Sequence, residues 1–238
     1  MSVPLRIFIG YDEKEPVSFY VLQHSIIRRC HAGVPIAITP INRTLLGNRY
    51  MRAIDPTETT QFSLARFWVP SLCDFKGYAI FMDCDQLMLT DIADVFLHTP
   101  RLPERAVYVC QHDYVPKEQQ KFLGQPQTAY PMKNWSSFMV FNNAHCKGLT
   151  EQFCNTASGL ELHRFTWTAP EQIGALPLDW NWLVGEYAPN VQAKNLHYTL
   201  GGPWFQATAN CDQADLWWAE YDHMRRCAQG AEKLKAAV

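Results

Sequence analysis

The run Gly77-Tyr78-Ala79-Ile80-Phe81-Met82, followed at once by Asp83-Cys84-Asp85, constrains this chain more than any other feature. An unbroken apolar run of this length reads as a buried strand. Carboxylates at i and i+2 at its end point the same way, roughly 7 Å apart along the chain. Such a pair is costly to bury without a cation beside it. It can hold one hard divalent ion, directly or through water. That chemistry points to metal-assisted transfer of a phosphate-bearing substrate. Asp-x-Asp alone is short, and it reads equally as a solvated turn.

The flanking elements place this strand in a sheet. Leu5-Arg6-Ile7-Phe8-Ile9-Gly10 predicts a first strand, Tyr11 to Glu15 a loop, and Pro16 the first turn of a helix running to about Arg29. Pro35 to Thr39, Ala106 to Val109 and Phe138 to Phe141 read as further strands. Phe62 to Leu72 has helical spacing with Pro70 near its end. Asp113 to Trp135 has weak periodicity and reads as loop-rich, and an amphipathic helix is expected over about 213–228. Strands separated by helices predict an α/β fold: one Rossmann-like, mostly parallel sheet flanked by helices, a single domain over residues 1–238. Ligands of such sheets bind beyond the C-terminal strand ends. Gly10-Tyr11-Asp12 and Asp83-Cys84-Asp85 therefore share an edge where one nucleotide could touch both.

Composition narrows the function classes. The net charge of −2 gives no basic field for nucleic acid. No apolar stretch reaches the roughly 18 residues of a membrane span. The N-terminal residues lack the apolar segment of a signal peptide, so a cytoplasmic protein is expected. The eight cysteines contain no C-x-x-C pair and read as reduced thiols, with no zinc motif in their spacing.

Four further segments carry candidate chemistry. Arg66 is a cation on an otherwise apolar stretch, able to reach a phosphate or brace an aspartate, or simply to snorkel to the surface. Ser136 and Ser137, before an inner strand, could let a sugar approach the backbone. Glu171-Gln172 follows Pro170, where an acidic residue also suits a helix N-terminus, and Gln172 offers a donor and an acceptor to sugar hydroxyls. His197 could complete a metal site begun by two carboxylates, and Gly201 and Gly202 allow close approach of a pyrophosphate. Trp204 and Trp135 are candidates for an acceptor-sugar platform, or core residues. Trp217 and Trp218 are adjacent on the last helix and cannot both face the protein.

These segments together resemble GT-A fold glycosyltransferases, closest to glycosyltransferase family 8 with its glycogenin-like and galactosyltransferase-like members. The most specific stretch runs from Phe62-Ser63-Leu64-Ala65-Arg66-Phe67 through the strand and Asp83-Cys84-Asp85 to Thr90-Asp91-Ile92. The resemblance implies that Asp83, Asp85 and His197 hold Mn2+ (or Mg2+) against the diphosphate of a nucleotide-sugar. It implies that Gly10, Tyr11 and Asp12 line the base and ribose pocket, with Arg66, Cys84, Ser137, Gly201 and Gly202 also on the donor, although the Cys84 side chain itself should turn into packing. Glu171 and Gln172 take the place of the family's acidic-Gln pair facing the reacting sugar, the catalytic position. Two departures stand out. The lysine that usually precedes Pro-Trp is Gly202 here, so either another cation such as Lys133 or Arg66 replaces it or the metal carries more of the charge, and the family's Asn-Ala-Gly segment is Trp135-Ser136-Ser137.

The expected activity is transfer of a hexose from a nucleotide-diphosphate sugar, UDP-linked, to a carbohydrate or other hydroxyl acceptor, with retention. A nucleotidyltransferase is one alternative, but its glycine-rich, arginine-containing first loop is absent. A sugar-nucleotide-binding protein without turnover is the other.

Overall fold

In a computed structural model, residues 4–31, 33–54, 58–99, 105–113, 120–121, 125–126 and 131–235 are described. Five strands and a helix build the half of the chain that holds the aspartates: β1 (Leu5–Gly10), α1 (Pro16–Arg29), β2 (Ile36–Ile41), β3 (Tyr78–Met82), β4 (Gln86–Met88) and β5 (Val107–Cys110). The two-residue strands β6 (Gln120–Lys121) and β7 (Gln125–Pro126) pair with each other. Then come β8 (Phe138–Asn142), β9 (Ile173–Leu176), β10 (Trp182–Leu183), β11 (Asn195–His197) and the C-terminal helix α2 (Ala214–Lys235).

The main sheet has six strands in the order β2-β1-β3-β8-β5-β9. β1 pairs in parallel with β2 and β3, and β5 with β9, while β8 runs antiparallel to both its neighbours. The sheet is thus mostly parallel, as its apolar runs predict: β3 from Ala79 onward, β5 and β8 are buried throughout. Pro16 opens α1, where its missing N–H has no role, and Arg28 and Arg29 close it against the helix dipole.

A second, three-stranded sheet, β10-β11-β4, matters most for function. β4 begins two residues after Cys84 and pairs antiparallel with β11, in the register His197↔Gln86. The pairing brings His197 to the aspartates from more than a hundred residues away.

Several expected boundaries move. The helical spacing of Phe62 to Leu72 resolves into a 3-10 turn, Ala65–Trp68, running into a short α-turn, Val69–Leu72. Pro70 lies near the end of the whole stretch, as expected, and at the start of that last turn, where no N–H is needed. The last helix extends to Lys235. Within the loop-rich stretch expected at 113–135, residues 114–119, 122–124 and 127–130 lie outside the described residues.

Two hydrophobic cores result. The larger packs the six-stranded sheet, and the smaller joins Val21 of α1 and Leu87 of β4 to Leu196, Tyr198 and Trp217. Trp217 is fully buried while Trp218 is 39% exposed, the split that their adjacency on one helix requires.

Candidate functional site

Asp83 and Asp85 leave the C-terminal end of β3, at the edge where β1 also ends. The backbone holds both. The Asp83 amide donates to the Ser137 carbonyl at 2.9 Å, and the Asp85 carbonyl accepts from the Tyr198 amide at 2.9 Å. Arg66 lies beneath them, buried, its guanidinium 4.9 Å from the Phe81 ring centre and 5.4 Å from that of Phe62. Its Nη1 reaches Asp83 Oδ1 at 2.9 Å and donates to the Ser136 carbonyl at 2.8 Å. The snorkelling reading of Arg66 is excluded: the charge points inward and orients one carboxylate.

His197 faces the other carboxylate, with Nε2 3.3 Å from Asp85 Oδ1. One ligand atom from each of Asp83, Asp85 and His197 lies within 4.8 Å of the others. Asn181 fixes the imidazole. Its Nδ2 donates to the Asn134 carbonyl at 3.2 Å and to Ser137 Oγ at 2.8 Å. A carbonyl only accepts, so the amide oxygen is the atom 2.9 Å from His197 Nδ1, and that nitrogen carries the proton. The Nε2 lone pair is then left for a cation, the tautomer expected of a metal-ligating histidine.

Behind Asn181 lies His112, at the C-terminal end of β5. Its Nε2 lies 3.0 Å from Asn181 Nδ2, whose two hydrogens are shared among that nitrogen, the Asn134 carbonyl and Ser137 Oγ, and its Nδ1 meets the Tyr187 hydroxyl at 2.9 Å. Burial, with His197 nearby, pulls the His112 pKa down to about 3, so the ring is neutral and the chain Tyr187-His112-Asn181-His197 keeps one polarity.

The surrounding pocket is lined by Glu15, Thr59, Thr60, Phe62, Ser63 and Arg66 on one side. On the other it is lined by the aspartates, Asn134, Ser136, Ser137, His163, His197 and Thr199. It encloses about 110 Å³. That is below the roughly 300–1,000 Å³ of a pocket for a whole organic ligand. Burial, reinforced by Asp85 and Asp12, pushes the Glu15 carboxyl well above the ordinary glutamate range, while the Trp204 indole N–H donates to it at 3.2 Å. A larger, more apolar cavity of about 770 Å³, lined in part by Leu5, Val34, Tyr78 and Phe96, lies at the opposite strand ends, away from every charged group of the site.

Of the residues singled out in the sequence, Asp83, Asp85, His197, Arg66, Ser136 and Ser137 converge on this pocket. Others do not line it. Cys84 is fully buried against α1, and burial pushes its thiol well up. Asp12 is fully buried, and its two oxygens accept from the amides of Lys14 and Gln61 at 2.9 and 3.0 Å, so it ties loops together. Gly10 and Tyr11 end β1 at the same edge; Gly10 is there because a Cβ would strike the Phe62 ring, and Tyr11 packs edge-on against Phe19 at 5.5 Å.

Gly202 leaves room for the Trp204 ring, and Gly201 adopts φ +113°. Both serve the local turn, where a pyrophosphate contact was expected. Trp204 packs 4.8 Å from Trp217, and the Trp135 indole N–H donates to the His112 carbonyl at 2.9 Å; each supports a wall from behind. Lys133 is buried outside the lining, so Arg66 is the cation in the described pocket.

Glu171 and Gln172 depart furthest from expectation. They form a single 3-10 turn with Pro170 and enter β9 directly. The Gln172 carbonyl accepts from Ala106, the Ala106 carbonyl from Asn142, and Asn143 donates to Gly77, all at 2.9 Å. The pair therefore sits in the row of Gly77, at the start of β3, about 20 Å of extended strand from Asp83. Asn181, His112 and Glu15 were not singled out. His112 follows a parallel strand at its C-terminal end, the same signal that marks Asp83.

No protein-family model matches the chain. Arabidopsis thaliana protein CDI is 42% identical over 233 residues, 94% of this chain and 88% of that protein. Among solved structures, the apo WbbM bifunctional glycosyltransferase superposes with a TM-score of 0.65 at 16% identity over 93% of this chain and 50% of that one. The glycosyltransferase GlyE of Streptococcus pneumoniae gives 0.59 at 13% identity, over 91% of this chain and 60% of that one. The galactosyltransferase LgtC, solved with donor and acceptor sugar analogues, gives 0.55 at 9% identity, over 92% and 96%. The chain spans about half the length of WbbM and has the GT-A fold of these enzymes.

Proposed function

We propose, for a chain that belongs to the family of Arabidopsis thaliana protein CDI, a metal-dependent glycosyltransferase activity. The observation that carries this reading is the convergence of Asp83, Asp85 and His197 on one point of the sheet edge. Two hard carboxylate oxygens and one imidazole nitrogen suit Mn2+ or Mg2+, and those three residues would hold it. Bound there, the ion supplies Lewis-acid stabilisation of the charge that develops on a departing diphosphate.

The chain's own residues do the rest. Arg66 keeps Asp83 in one orientation, and Asn181 keeps the His197 lone pair aimed at the same point. The donor is a nucleotide-diphosphate hexose, UDP-linked, with its nucleoside along the Gly10-Tyr11-Asp12 edge. The hydroxyls of Ser136, Ser137 and Thr199 and the Asn134 amide offer the sugar donors and acceptors. LgtC, crystallised with donor and acceptor sugar analogues, supports a carbohydrate or other hydroxyl acceptor.

Retention is proposed by direct transfer on one face, the departing β-phosphate oxygen taking the acceptor's proton. With Glu171 at the far edge, Glu15 is the one carboxyl lining the described pocket besides the two aspartates, and its burial disfavours the nucleophilic form.

Turnover of UDP-hexoses with and without Mn2+ tests the reading. Asp85→Asn and His197→Gln should each lower metal-dependent turnover about 10²-fold or more with the fold intact by circular dichroism. Unchanged turnover refutes the assignment. The absence of Glu171 and Gln172 from the pocket favours one alternative, a nucleotide-sugar-binding protein without turnover, identified by donor binding with no product formed.

A further inference from the structure

A second cluster of metal-ligating side chains lies on the helix pair α1–α2, away from the sheet edge. His223 and Cys227 are four residues apart on α2, hence on one face, and His24 of α1 lies against them. One ligand atom from each lies within 4.8 Å of the other two. The Cys227 sulfur is 3.6 Å from His223 Nδ1. Zn–N near 2.0 Å and Zn–S near 2.3 Å at a tetrahedral angle put such atoms about 3.5 Å apart.

The third residue is prepared by Glu220, one turn before His223. Its carboxylate is held by Arg28 and Arg29, each at 2.8 Å, and lies 2.6 Å from His24 Nδ1. A carboxylate accepts, so His24 Nδ1 carries the proton and Nε2 the lone pair. A carboxylate behind a histidine is the arrangement that orients imidazole on a metal and raises its basicity. Packing alone does not call for this set: Cys227 is solvent-exposed, and His24 and His223 are partly so.

We propose that His24, His223 and Cys227 form a second metal site, one that takes a zinc-class divalent ion and fastens the C-terminal helix to α1. The soft sulfur separates it chemically from the Asp83-Asp85-His197 site, whose oxygen-rich donor set prefers harder ions. Three protein ligands leave a fourth position for water. Cysteine spacing could not reveal the site, because only one thiol takes part and one ligand comes from a helix some two hundred residues earlier.

The test is Co2+ titration of the metal-stripped full chain, read by the thiolate-to-cobalt charge-transfer band. That band requires sulfur, so the aspartate site cannot produce it. One equivalent of Co2+ should generate it, and Zn2+ should displace it. Cys227→Ser, at an exposed position, and His223→Gln should each abolish it, while His197→Gln keeps it. Absence of the band in the unaltered chain, or its survival in Cys227→Ser, overturns the proposal.

Discussion

Asn181 Oδ1 accepts the Nδ1 proton of His197 at 2.9 Å, and this one bond decides which nitrogen of His197 faces Asp85. Asn181 lies just before β10 and His197 ends β11, two strands paired in parallel, so the bond is set by sheet geometry. Removing it leaves the imidazole free to adopt the other tautomer. Asn181→Leu should therefore weaken Mn2+ binding about 10–100-fold, the usual effect of losing a group that orients a ligand. Asn181→Asp, which still accepts from Nδ1, should recover most of the loss. Isothermal titration with Mn2+ checks both, and equal affinity in Asn181→Leu and the unaltered chain would remove Asn181 from the site.

The buried Arg66 pairs at 2.9 Å with Asp83, which is partly exposed at the pocket wall. Deleting the arginine leaves that carboxylate without its cation, at a cost below the roughly 3–5 kcal/mol of a fully buried pair. Arg66→Met keeps the apolar stem against Phe62 and Phe81 but removes the charge. The variant should unfold at lower urea concentration, and saturating Mn2+ should raise its stability by more than it raises that of the unaltered chain, because the ion then also neutralises Asp83. Urea midpoints with and without Mn2+ measure this. An equal metal effect in both proteins would mean that Asp83 is not a ligand.

Glu171→Ala and Gln172→Ala should leave Mn2+ affinity and any UDP-hexose turnover within about twofold, since surface substitutions away from a site move free energies by about 0.5 kcal/mol or less. Their place in the row of Gly77 is fixed by the 2.9 Å bonds joining Gln172, Ala106 and Asn142. A tenfold loss of turnover in either variant would show that the pair reaches the reacting sugar after all.

That correction shows where the sequence stops being legible. β3 and its aspartates could be read because burial of a strand and a charge pair at its end are local signals, held within nine residues. His197 is one histidine among eight, and it is assigned as a ligand through the family resemblance and the Gly201-Gly202-Pro203-Trp204 that follows it. The Glu171-Gln172 match is also local, but the position of a pair in a sheet depends on how many residues separate it from the next strand. Here Pro170–Gln172 leads straight into β9, with no helix to carry the pair across the sheet. Asn181 and Glu15 carry no signature of their own, and His112 carries only its place after β5. They become functional candidates only once β11 pairs with β4 and Asp85 is seen beside His197.

The α1–α2 contact gives the fold an acid limit. Burial alone would raise the Glu220 pKa, but hydrogen bonds from Arg28, Arg29 and His24 outweigh it and bring the carboxyl from 4.5 to about 2. A carboxyl depressed in the folded state stabilises that state above its unfolded pKa. The contribution, about 3 kcal/mol at neutral pH, shrinks as pH falls from about 4.5 and is gone near 2. Glu220→Gln keeps the shape and cannot ionise, so its stability should lie below that of the unaltered chain at pH 7 and converge on it as pH falls through this window. Urea unfolding followed across the window measures the difference. A gap that stays constant with pH would show that the charge of Glu220 contributes nothing to holding the C-terminal helix in place.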